Sequence, residues 1–406
     1  MADRFGCSGR TSVFSKYCSG FLQFSMHHLC FSSRYIVLRL FLACALVGSL
    51  NVGSAATSRR RTVSRSRAVA TARAPGTTPV IRGGPWTQPT FADSTAGDFT
   101  DGEDVEVRRA AVEALGAYNG SVIAVDADTG RILTMVNQKL ALGSGFQPCS
   151  TVKVSVALAG LAEKVIQPNN RYRVGRLRID LTNALAHSNN YYFATLGERL
   201  GFERVSYYAH LFGYGEKAGL NINGETAGHY PAAPPKNGGV GMLTSFGEEI
   251  SQTPLQLAAL MAAIANGGTL NYLQYPRSQA EAVALTPQVK RRLDISSLIP
   301  VIKPGMRGAV EFGTAHRARE DGPIAGKTGT CSENQTHLGW FGSFNDAGNR
   351  KIVVVVLLTG GRPAIGPLAA GIAGDVYRLL QERQYLAMTP PFLPASLITR
   401  QPCCSK

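Results

Sequence analysis

The sequence predicts an α+β body spanning residues 102–388, and three stretches carry that expectation. "GSVIAVDADTGRILTMVN" (Gly120 to Asn137) holds two β-rich runs joined by Asp128-Thr129-Gly130, a hairpin signature. "SQTPLQLAALMAAIANGG" (Ser251 to Gly268) begins with Thr253 as a cap and Pro254 at the first helical position and stops at Gly267-Gly268. A helix with both of its end signals therefore lies between them. "KIVVVVLL" (Lys351 to Leu358) is apolar on both faces, as a central strand covered on each side must be.

The remaining elements follow in chain order. Residues 1–56 have the layout of a signal peptide or single membrane anchor: basic Arg34 and Arg39, an apolar run from Leu40 to Leu50, and small residues ending at Ala56. The run is short for a spanning helix, which favours cleavage, and Met26 gives a more ordinary start than Met1. Residues 57–101 are rich in Arg, Ser, Thr, Ala, Pro and Gly and read as a flexible linker. Within the body the pattern predicts a helix over Val105 to Leu115, the hairpin, and a helix from Ser150 to about Val165. Strands are expected near Ile324 to Thr330, Leu338 to Phe344 and Lys351 to Thr359, then a helix from Pro367 to Gln384. Residues 389–406 form a loose tail.

Composition narrows the classes of function. With 44% hydrophobic and 17% charged residues in 406, the chain can bury a large core and is not a disordered protein. The formal net charge of +15 owes part of its excess to "SRRRTVSRSR" (Ser58 to Arg67) in the linker. No nucleic-acid-binding pattern accompanies that run, so nucleic acid is not an expected partner. Cysteines 7, 18, 30 and 44 fall in the leader, which leaves Cys149, Cys331, Cys403 and Cys404 exposed to oxidation after export. There is no Cys-x-x-Cys pair and no histidine cluster at ligand spacing, so neither a metal nor another cofactor is expected.

Three short motifs bear chemistry. Ser150 and Lys153 in "QPCSTVK" stand three apart at a helix start, so the amine reaches the hydroxyl and the helix dipole favours negative charge there. Such a pair can be a nucleophile and its base if burial lowers the lysine pKa, or an ordinary helix face. Ser188 and Asn190 in Ser188-Asn189-Asn190 can point a hydroxyl and an amide into one cleft, or form a polar turn or cap. Lys327-Thr328-Gly329-Thr330 can offer a positive charge, two hydroxyls and a glycine at which a ligand meets the backbone, or be a glycine-interrupted edge strand. Asp128-Thr129-Gly130 also matches the aspartic-protease triplet, but its hairpin setting argues for turn chemistry.

The order Ser-x-x-Lys, Ser-x-Asn, Lys-Thr-Gly is that of penicillin-binding proteins and serine β-lactamases. With "DADTGRILTMV", "FGYGEKAGLNINGE" (Phe212 to Glu225), the capped helix and "HLGWFGSF" (His337 to Phe344), residues 118–385 resemble the transpeptidase domain of penicillin-binding proteins. The resemblance implies a five-stranded antiparallel sheet flanked by helices, an all-helical subdomain, and a site between them. It implies Ser150 as the acylated nucleophile, Lys153 as its base, Ser188 as the proton relay and Asn190 as the group orienting the substrate amide. Lys327 would supply a positive field, with Thr328, Gly329 and Thr330 lining the place of the donor carboxylate. The backbone N–H groups of Ser150 and Thr330 would form the oxyanion hole. Peptidoglycan stem peptides and β-lactams are then the expected partners, at the periplasm or the outer face of the cytoplasmic membrane, with the N-terminal segment as a possible membrane tether.

Two alternatives stay open beside a D,D-transpeptidase or D,D-carboxypeptidase: a serine β-lactamase, and a β-lactam-binding module without turnover. Against the first, no Glu-x-x-Leu-Asn string lies between Asn190 and Lys327, and Ser188-Asn189-Asn190 replaces the Ser-x-Val usual in class D hydrolases. Cys149 and Cys331 directly flank the first and third motifs, at positions bridged in some carbapenem-hydrolysing class A enzymes. The resemblance implies a Cys149–Cys331 disulfide, worth roughly 3–5 kcal/mol through closure of so long a loop if unstrained, the alternative being two small buried thiols. Alkylation of the unreduced, denatured protein is expected to leave both cysteines unlabelled; labelling at these two positions would exclude the bridge.

Overall fold

The computed structural model describes residues 87–320, 322–348, 350–361 and 365–387. The leader and most of the linker and tail lie outside the described residues. Strands β1 (Gly120–Asp126), β2 (Ile132–Val136), β3 (Ile324–Glu333), β4 (Thr336–Asn345) and β5 (Ile352–Gly360) form one sheet in the order β2-β1-β5-β4-β3. Every neighbouring pair is antiparallel. The fold expected from the sequence is the one observed.

β5 runs between β1 and β4, and all nine of its residues are buried. Val353, Val355 and Leu357 face one core with Ile123, Met135 and Trp340, while Val354 and Val356 face the other with Val122, Leu133 and Phe341. This double coverage explains why its sequence does not alternate. The second face is covered by α1 (Val105–Leu115) and by α7 (Gly366–Glu382), which brings Ala369, Ala370, Ala373 and Val376 against the strands.

The other face carries the helical part. α2 (Lys153–Ala162), α3 (Asn190–Leu200) and α4 (Gly239–Phe246) gather beside α5 (Pro254–Ala265), and α6 (Ile299–Glu311) closes that side. All twelve residues of α5 are buried, so it is a core helix rather than an amphipathic one. Its start is set by a capping box: Thr253 Oγ1 accepts from Gln256 N–H, and the Gln256 side chain accepts from Thr253 N–H at 2.8 Å.

Local chemistry settles three points of the sequence reading. Asp126 Oδ1 accepts the N–H groups of Asp128 and Thr129 and the Thr129 hydroxyl, and Gly130 takes φ 74°, so the Asp-Thr-Gly triplet is spent on turning the chain from β1 to β2. β3 and β4 extend beyond the predicted strands and meet through Asn334 and Gln335, both at positive φ (46° and 56°). That backbone suits a two-residue hairpin, although glycine is absent from the turn. Residues 87–101, read as the end of the linker, pack against the body: Phe91 pairs with Tyr118, and Asp98 binds Arg108 and the N–H groups of Asn137 and Gln138. Their polar composition reflects capping and ion pairing rather than solvation. Among the described residues, no helix is long and apolar enough to cross a membrane.

Candidate active site

Ser150 lies in a 3-10 turn, Cys149–Val152, from which α2 begins at Lys153. The sequence reads this as one helix; the tighter first turn has three residues per turn, which eclipses residues 150 and 153. Lys153 Nζ accordingly lies 2.7 Å from Ser150 Oγ. It also donates to Asn190 Oδ1 at 2.9 Å and to the Ser245 carbonyl. Asn190 opens α3, and its neighbour Asn189 caps that helix by accepting from Tyr192 N–H. Ser188 precedes them in a left-handed conformation, φ 55°. Both readings of Ser-Asn-Asn thus apply at once: the middle residue is the cap, and its neighbours are free to face the cleft.

β3 brings the third motif. Lys327 Nζ donates to Ser188 Oγ at 2.9 Å and to the Thr328 carbonyl at 3.0 Å. Thr328 is buried, with its Oγ1 2.6 Å from Thr314 Oγ1. Thr330 is exposed, and its Oγ1 accepts from Gly366 N–H at 2.8 Å. Because β3 is an edge strand, alternate backbone groups along it have no sheet partner and are open to a ligand. The five side chains fall into two hydrogen-bonded groups, Ser150–Lys153–Asn190 and Ser188–Lys327.

Both lysines are fully buried. Burial pushes the Lys153 amine down to about 6, with the charge of Lys327 adding to the drop. Burial alone takes Lys327 to about 7. The rings of Phe193 and Phe246 lie 5.9 and 5.6 Å from Lys153 Nζ and keep water from it. A neutral Lys153 has two protons, which match the two carbonyl oxygens of Asn190 and Ser245. Its lone pair is then left for the Ser150 hydroxyl.

The turn bearing Ser150 is held from β3 and β4. Cys149 and Cys331 form a disulfide, with Cα atoms 5.6 Å apart and a sequence separation of 182. Trp340 Nε1–H donates to the Gln147 carbonyl at 3.0 Å, and Gln147 N–H donates to Glu333 Oε2 at 2.8 Å. A Cβ on Gly329 would stand 2.8 Å from the Pro148 carbonyl oxygen, so only glycine lets the strand come this near the turn.

Residues 120–378 match the family model "Penicillin binding protein transpeptidase domain". The chain belongs to this family. It is 27% identical to stage V sporulation protein D of Bacillus subtilis, over 60% of this chain and 43% of that protein. It is 26% identical to peptidoglycan D,D-transpeptidase MrdA of Haemophilus influenzae, over 70% of this chain and 57% of that protein. The chain therefore spans about half the length of these relatives. Among solved structures, that of Pseudomonas aeruginosa PBP2 in complex with WCK 5153 superposes with a TM-score of 0.60 at 24% identity, covering 72% of this chain and 78% of that one. That likeness concerns the fold.

Within this penicillin-binding protein fold, sequence reading missed the Ser245 carbonyl, Thr314, Trp340 and Gly366. A main-chain oxygen carries no sequence signal, and Thr314, Trp340 and Gly366 act through contacts made only in the folded state. The buried lysines also set a stability trend. The unfolded chain keeps both protonated up to about pH 10, whereas the folded chain releases them near 6 and 7. Between those limits the unfolded state binds more protons, so stability rises with pH and is lowest below about pH 6. Lys153→Met is expected to exceed the wild type in unfolding free energy, by a margin widest below pH 6 and narrowing toward pH 10, as read by denaturant titration. A margin that grows with pH would contradict the assignment.

Proposed function

We propose that this chain is a penicillin-binding D,D-transpeptidase or D,D-carboxypeptidase, acting on peptidoglycan stem peptides through a serine acyl-enzyme and acylated by β-lactams. The observation that carries this reading is the Lys153 amine, depressed to about 6 and 2.7 Å from Ser150 Oγ. A serine hydroxyl is inert at neutral pH without such a base.

In the proposed mechanism, Lys153 takes the Ser150 proton as Oγ attacks the carbonyl of the penultimate D-alanine. The backbone N–H groups of Ser150 and Thr330 receive the developing oxyanion, the interaction that contributes most to such transition states. Asn190 orients the substrate amide. Lys327 polarises Ser188, which hands a proton to the departing amine. The donor carboxylate is held by the Thr330 and Thr328 hydroxyls beside Gly329, in the field of Lys327. Relatives named as peptidoglycan D,D-transpeptidases support this choice of substrate. Export, with the N-terminal segment as leader or tether, is part of the same reading; the Cys149–Cys331 disulfide supports an oxidising compartment.

Intact-mass measurement of the unreduced protein after mixing with benzylpenicillin is expected to give a covalent adduct lasting many minutes, absent from Ser150→Ala. A fleeting adduct with rapid loss of the drug would identify a β-lactamase instead. The same acylation followed against pH is expected to rise through about pH 6 as Lys153 loses its proton. A rate still falling tenfold per unit below pH 8 would mean that the base is not a lysine depressed to about 6.

A further inference from the structure

We propose that His187 and Phe312 form the wall against which the acyl acceptor is held, and that they set the balance between transfer to an amine and loss to water. The inference rests on the acyl-transfer reading above. If Ser188 gives a proton to the departing amine, then by microscopic reversibility the incoming amine arrives beside the same hydroxyl and yields its proton there. The surroundings of Ser188 on the solvent side therefore decide which acceptors are held long enough to react.

Two exposed rings stand near the stretch that carries Ser188. His187 directly precedes Ser188 and is exposed. α6 ends at Phe312, and the chain then turns back so closely that a Cβ on Gly313 would stand 2.2 Å from the Ala186 carbonyl oxygen. Thr314 N–H donates to that same oxygen at 3.1 Å. This anchoring sets the Phe312 ring beside His187, with centroids 5.7 Å apart and planes inclined at 52°. Phe312 remains 52% exposed, a large apolar ring left in water beside His187, the residue before the proposed proton relay.

The pair offers ring faces on which a hydrocarbon chain can lie. It fits the methylene stem of a primary amine, such as a diamino-acid side chain, whose nitrogen reaches Ser188 while its carbons lie on the rings. The amine nitrogen attacks the ester carbonyl carbon of the acyl-enzyme. A C–N bond forms, the bond from carbon to Ser150 Oγ breaks, and the proton shed by nitrogen passes through Ser188 to end on Ser150 Oγ. Water and hydroxylamine have no stem and gain nothing from the wall.

The test partitions one acyl-enzyme between acceptors. The protein is acylated with an acyl-D-alanyl thioester, and amide and acid products are counted by mass spectrometry in the presence of Nα-acetyl-lysine or hydroxylamine. Phe312→Ala and His187→Ala are each expected to lower the amide-to-acid ratio with Nα-acetyl-lysine by about tenfold, the scale of one or two methylenes returned to water. The ratio with hydroxylamine and the acylation rate stay within about twofold, and Phe312→Leu recovers most of the loss. Should Phe312→Ala not fold, His187→Ala and Phe312→Leu carry the comparison. Unchanged ratios, an equal fall with hydroxylamine, or a wild type that acylates but only hydrolyses would each overturn the proposal while leaving the acyl-enzyme intact. A wild type that forms no Ser150-linked acyl-enzyme would overturn the underlying function as well.

Discussion

Two lysine side chains sealed away from water at the seam between sheet and helices are the constraint on which the rest depends. Neither amine would be reactive in solvent, and neither would stay buried without a scaffold stable enough to tolerate it. α5, buried along its whole length, and β5, covered on both faces, supply that scaffold. The site is therefore a local cost carried by an apolar body, a common division between activity and stability.

Position matters as much as burial. β3 must lie close to the turn that carries Ser150, yet remain an open edge on its other side. Gly329 removes the side chain that would hold them apart, and Trp340 and Glu333 grip Gln147 from the neighbouring strand and the strand end. The disulfide then joins the residue before Ser150 to the residue after Thr330, so the two backbone N–H groups proposed to receive the oxyanion are each one residue from a covalent link. Noncovalent and covalent ties thus converge on the same short stretch of chain.

The sequence was informative where a signal was local and double. α1 spans Val105–Leu115 as its apolar spacing predicts, and α5 begins at Pro254 where its cap and proline place it. Doubly apolar β5 could be recognised for the same reason. The hairpin between β3 and β4 could not, because Asn334 and Gln335 adopt positive φ without the glycine that normally announces it. The helices between Leu181 and Phe246 were also not assigned, although Tyr192, Phe193, Leu196 and Leu200 form a buried stripe along α3. For the site, the three motifs supplied the candidate side chains, but the contacts of Lys153 with Ser245 and of Thr328 with Thr314 join residues 92 and 14 apart. Only the fold brings such partners together.

The strap formed by residues 87–92 has a mechanical meaning. Thr87 bonds to the tip of the β3–β4 hairpin through the Gln335 carbonyl, and Ala92 to the Ala117 carbonyl near the start of β1. Tension arriving from the N-terminal side of the chain would first peel the strap from the hairpin that carries Lys327 and Thr330, long before reaching α5 or the sheet centre. The hairpin tip beside the active edge thus feels such a pull earliest, and once Thr87 lets go the load passes to Asn119 and Ala117 at the start of β1 rather than along β3.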